Sequence, residues 1–221
     1  MKNIARFLVI LMLLMQAAFT DVHAYADGDF QIWHNEVQEF NVSKKIKVPL
    51  EEEFRYGDNA SELYYHHYDI GLTYDANKNL TIGVFYRQIY EGEKGKSKPE
   101  FQPHFDITPK VDIYGFHLED RNRFEYKLYD DNRADIVEYR NKISIRSPWK
   151  LTPLKIQPYV ADEVFVWLNT AFFRRNRFDA GASFEFAKNL KGDVYYRLQC
   201  TKKSGRWTDA NILGLKLKVS F

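Results

Sequence analysis

Apolar and charged residues alternate at every second position along most of this chain, the period of extended strands whose side chains point to opposite faces. In IKVPLEEEFRY, Ile46, Val48, Leu50, Phe54 and Tyr56 share one face. Lys47, Glu51, Glu53 and Arg55 share the other, and Glu52 is a lone carboxylate on the apolar side. The rhythm returns in HLEDRNRFEYKLYD, where Leu118, Phe124, Tyr126 and Leu128 oppose Glu119, Arg121, Arg123, Glu125 and Lys127. In IVEYRNKISIRS, Val137, Tyr139, Ile143 and Ile145 oppose Glu138, Arg140, Lys142 and Arg146. RFDAGASFEF sets Phe178, Phe184 and Phe186 against Arg177, Asp179 and Glu185, and DVYYRLQC sets Val194, Tyr196 and Leu198 against Asp193, Tyr195 and Arg197. The closing NILGLKLKVSF places Leu213, Leu215, Leu217, Val219 and Phe221 opposite Lys216, Lys218 and Ser220. Further strands are expected over residues 30–40, 62–74, 79–90, 103–112 and 154–168. Turn-rich segments lie between them: 57–61, 75–79, 91–100, 130–132, 188–192 and 202–206.

This pattern predicts an all-β fold, a single antiparallel up-and-down β-barrel. A soluble sandwich or a lipocalin-like periplasmic carrier shares the alternation, with its apolar face inward. Strands this long, short turns alternating with longer charged loops, and aromatic residues near strand ends favour a transmembrane barrel with its apolar face in lipid. The eleven stretches conflict with the even strand number that returns both termini to one side. Either 30–40 does not cross or 154–176 hides another strand, so 10 to 12 strands are expected.

At the N-terminus, Lys2 and Arg6 precede the apolar run Phe7–Phe19, followed by small residues that suit cleavage after Ala24 or Ala26. Residues 1–26 therefore read as a cleaved signal peptide and 27–221 as the barrel. The single cysteine, Cys200, excludes an internal disulfide, and a formal charge of +2 supplies no broad basic field for nucleic acid.

The chain resembles the bacterial outer-membrane barrels grouped as domain of unknown function 2490. Trp33 carries that resemblance together with LEEEFRYGDNASEL (50–63), DRNRFEYKLYDD (120–131), EYRNKISI (138–145), PYVADEVF (158–165), RNRFDAGASFEF (175–186) and the terminal strand. It implies an outer-membrane location and no defined biochemical activity.

With the apolar face in lipid, Arg55, Arg87, Arg121, Arg123, Glu125, Glu138, Arg140, Arg177, Asp179, Glu185 and Arg197 line a narrow lumen, where charges of both signs must pair. The interior of a barrel of this size is largely filled by side chains. A structural role, or a narrow passive pore, is expected, with outer-membrane lipid around a monomer. The terminal strand with its final Phe221 resembles the signal by which the barrel-assembly machinery recognises such barrels. An anion-selective pore and an outer-membrane lipid-modifying enzyme are the rival readings. No nucleophile elbow surrounds a serine, and His66 and His67, as neighbours on a strand, face opposite ways. No phosphate loop or dinucleotide fingerprint is present, so no catalytic residue, metal or cofactor is assigned.

Overall fold

The computed structural model describes residues 27–93, 96–130 and 133–221. The signal segment 1–26 and its cleavage site lie outside the described residues. Among those described there are eleven strands: β1 (Asp29–Asn41), β2 (Ile46–Gly57), β3 (Glu62–Asn77), β4 (Leu80–Glu93), β5 (Lys96–Ile113), β6 (Phe116–Tyr129), β7 (Ile136–Arg146), β8 (Gln157–Trp167), β9 (Phe172–Ala187), β10 (Leu190–Lys203) and β11 (Arg206–Ser220). Each pairs with its neighbours in sequence, and the sheet closes on itself.

The closure corrects the expected strand parity and the wholly antiparallel pattern. Segment 30–40 does cross, as β1, and 154–176 holds only β8 and the start of β9. The barrel closes instead by parallel pairing of β1 with β11, from Asp29 opposite Ala210 to Glu39 opposite Ser220. A parallel seam accommodates an odd number of strands, and it places Asp29 and Phe221 at opposite rims. At its own rim, Phe221 stacks on Phe40 with ring centroids 5.2 Å apart, and its amide donates to the Glu39 carbonyl at 2.9 Å.

Segment 91–100 is also corrected. Its Gly, Lys and Glu content reads as a loop, yet β4 runs to Glu93 and β5 resumes at Lys96, with Glu91 opposite Lys98. Cross-strand pairing overrides local composition here. Elsewhere turn chemistry does what it should. Tyr114-Gly115 and Ser204-Gly205 close two-residue hairpins with both φ angles positive, about 50° then about 82°, the twist that matches antiparallel strands.

The two faces separate as the alternation implies. Ile70 and Val84 are 52% exposed on the outer wall, and Tyr196, Phe178, Leu213 and Leu215 also face outward. Asp69, Arg87, Arg123, Glu125, Arg140, Glu163, Arg177, Asp179 and Arg197 are buried inside. The outer wall is not uniformly apolar, and several of its polar groups are hydrogen-bonded to one another. His34 Nε2 lies 2.8 Å from Glu36 on β1, with Glu52 facing Glu36 across the β1–β2 pair. On the other side of the barrel, Asn176 donates to Asp162 at 3.0 Å, and the Tyr139 hydroxyl donates to Asn122 at 2.6 Å.

Candidate functional site

The lumen is organised by pairs of register-matched residues one hairpin apart. Asp69 lies opposite Arg87, Asp106 opposite Arg123 and Asp179 opposite Arg197. Each arginine reaches its neighbour through two donors: Arg87 to Asp69 at 2.9 and 2.7 Å, Arg123 to Asp106 at 2.7 and 2.7 Å, and Arg197 to Asp179 at 2.6 and 2.8 Å. Two-donor contacts of this kind offset the desolvation of both charges better than a single contact does.

Between β6 and β7 the register instead opposes like charges, Arg123 to Arg140 and Glu125 to Glu138. The conflict resolves diagonally. Arg140 donates to Glu125 at 2.7 Å and to Glu163 of β8 at 2.8 Å, while Glu138 takes Lys127 at 2.8 Å and the Trp167 indole at 2.8 Å. Diagonal neighbours on a sheet are within reach of long side chains.

Towards the Asp29 rim the lumen is filled by aromatic rings and guanidinium planes. Trp33 of β1 is fully buried, and its indole donates to Gln31 at 2.9 Å. The Arg55 guanidinium lies 3.8 Å from the Trp33 ring and 3.8 Å from the Tyr65 ring. Arg177 and Arg197 stand 4.9 and 5.0 Å from the same indole. Arg140 and Arg177 cover Phe165 at 4.5 and 4.7 Å. Cations over aromatic faces gain most where water is excluded. Gly214, in register with Trp33, has no side chain to displace the Tyr195 ring that lies against it; a Cβ there would overlap that ring. We call this layer the plug.

Towards the Phe221 rim the lumen opens into a cavity of about 300 Å³. Arg121, Lys142, Ser144, Arg146, Tyr159 and Lys216 line it, among others, and its floor includes Arg55, Arg140 and Arg177 of the plug.

The histidines divide by face. His67 points inward, hydrogen-bonded to the Tyr65 hydroxyl at 3.0 Å and to Glu51 at 3.3 Å, whereas His66 stacks on Tyr90 of β4 at 4.8 Å on the outer wall. No cluster of three metal-ligating side chains occurs among the described residues.

A family model described as a protein of unknown function, DUF2490, matches residues 30–210. The chain belongs to that family. The matched span runs from β1 into β11, so DUF2490 in this protein is the closed barrel itself, with plug and cavity inside it. The comparison with curated proteins finds no match.

Ten of the lumen residues read from the DUF2490 sequence have side chains within the barrel: Arg55, Arg87, Arg121, Arg123, Glu125, Glu138, Arg140, Arg177, Asp179 and Arg197. Glu185 stands apart from them, at the Phe221 rim, paired with Lys155 of the β7–β8 connection at 2.6 Å. Tyr195 stands on the charged face as its strand pattern gives it, whereas the plug aromatics Trp33, Tyr65 and Phe165 are inward residues that charge patterning overlooks. Parity is the signal that finds them: Trp33 falls on the same face as Gln31 and Asn35.

Proposed function

We propose that this DUF2490 protein is an integral outer-membrane barrel whose lumen is closed by the Trp33 layer, a structural element and not a conducting pore. The observation that carries the reading is the inversion of the faces. On strands of 11 to 18 residues, Ile70, Val84, Phe178 and Leu215 lie outside while the arginine–carboxylate lattice lies within. A carrier dissolved in the periplasm gains by burying such apolar residues, whereas a bilayer rewards their exposure and requires every backbone amide to be paired, as in a closed barrel.

On this reading the barrel is a non-catalytic monomer in contact with outer-membrane lipid. β11 is the segment that the assembly machinery reads. The Phe221 rim faces the periplasm. For the rival lipid-modifying activity, the outer wall offers the His34–Glu36 pair, to which no serine or cysteine is hydrogen-bonded among the described residues.

Cell fractionation tests the location, with the protein expected in the detergent-soluble outer-membrane fraction and migrating faster on gels before boiling than after. Planar-bilayer recording tests the plug, with no unitary current expected. Recovery in the aqueous periplasmic extract would refute the membrane assignment, and steady single-channel steps would refute the closed lumen.

A further inference from the structure

Charge is shared unevenly around the cavity at the Phe221 rim. Its lining carries ten Arg and Lys side chains against six Asp and Glu. Asp69, Asp106 and Glu125, set behind the wall, take up Arg87, Arg123 and part of Arg140. The surplus falls on β6 and β7. Glu163 is divided among Arg121 at 2.6 Å, Arg140 at 2.8 Å and Arg177 at 3.6 Å, and Asp179 between Arg197 at 2.6 Å and Lys142 at 3.0 Å.

Arg121 and Lys142 are direct cross-strand partners, a like-charge opposition that by itself destabilises a sheet. Two same-face positions beyond Lys142 towards the rim, Arg146 makes no ion pair among the described residues. Among the described residues, the buried Nε atoms of both Arg121 and Arg146 have no hydrogen-bond acceptor. Ser144 lies between Lys142 and Arg146 on the same face of β7 and adds a hydroxyl.

Unspent donors at the wall of a cavity of about 300 Å³, with a net positive lining, favour a compact anionic ligand with several acceptor oxygens. Guanidinium forks match the oxygens of a phosphate group, and the partly desolvated setting strengthens each bond. We propose that this vestibule binds a phosphate-type oxyanion between Arg121, Lys142 and Arg146, supplied either by a free phosphate ester or by the head group of an anionic lipid. The proposal deepens the closed-lumen reading, because a blind vestibule retains a ligand that an open pore would pass.

The test uses the refolded full barrel in zwitterionic detergent, with its gel shift on heating recorded first. Isothermal titration with inorganic phosphate at low salt is expected to give saturable binding, and acetate is expected not to compete. The variant carrying Lys142→Gln and Arg146→Gln should bind phosphate at least tenfold more weakly. Arg146→Lys should retain part of the affinity and guards against a fold defect, and Arg206→Gln, exposed at the far rim, should bind as the parent does. In a second arm, nanodiscs of phosphatidylglycerol are compared with phosphatidylcholine. A rise in thermal midpoint confined to phosphatidylglycerol, and lost in the double variant, assigns the site to a lipid head group; phosphate binding without that rise assigns it to a free ester.

Absence of binding to both probes, or a folded double variant that binds like the parent, overturns the proposal. A parent protein that shows no heat-dependent shift yet binds phosphate through Arg146 counts against the membrane assignment and leaves the site standing. Unitary currents would count against the closed lumen alone.

Discussion

The two halves of the lumen use the same residue types to different ends. Some arginines have assigned partners: Arg55 of the plug is held between Trp33 and Tyr65, and at the inner cavity wall Arg87 is fixed on Asp69 and Arg123 on Asp106, each by two donors. Towards the Phe221 rim, carboxylates are shared two or three ways, and among the described residues Arg146 has no carboxylate partner. Fully matched charges rigidify a fold, whereas under-matched ones leave donors free to meet something else. The difference separates arginines that hold the barrel from those that are available to a ligand.

The contrast can be broken most severely by removing one shared anion. Asp179→Ala leaves Arg197 and Lys142 facing each other without their carboxylate and should cost about 3–5 kcal/mol, as for one partner of a buried ion pair. Denaturant unfolding in detergent, followed by the gel shift, measures it. Trp33→Ala opens a void under three guanidinium groups. A loss of about 3–4 kcal/mol is expected, with the appearance of unitary currents that the parent lacks. Gly214→Val drives a side chain into the Tyr195 ring and should destabilise by about 1–3 kcal/mol, read from the same unfolding curve. At the other extreme, Arg146→Gln removes a charge that makes no ion pair among the described residues and only a distant contact with the Tyr159 ring, at 5.9 Å, so stability should change by less than about 0.5 kcal/mol. A large loss there would erase the distinction between the two halves.

Much of this arrangement is legible in the alternation of residues. Leu213 and Leu215 against Lys216 and Lys218 already assigns the faces of β11, because a period of two admits only one choice once the environment is named. The forked pairs are partly legible as well, since Asp69 and Arg87 flank a short turn that fixes their register. What escapes is whatever depends on contacts distant in sequence. Arg140 bonds Glu125 diagonally because of the β6–β7 register, across the longer connection between Tyr129 and Ile136, and no local pattern sets that register. Trp33 becomes the centre of the plug only because Arg55, Arg177 and Arg197 converge on it from β2, β9 and β10. The parallel seam joins the first strand to the last and has no turn of its own to announce it. Segment 91–100 fails for the opposite reason, since a strong local turn signal is overruled by pairing.

The inversion of the two faces in a bilayer is tested most directly by cysteine labelling at two adjacent positions of β11, in a Cys200→Ser background and in reconstituted membranes. Leu215 points outward from the barrel wall, and Lys216 lines the vestibule. The account predicts that Leu215→Cys resists a membrane-impermeant maleimide in lipid and reacts with a lipid-soluble one, while Lys216→Cys shows the reverse preference. Equal, rapid labelling of Leu215→Cys by the aqueous reagent in intact membranes would contradict it.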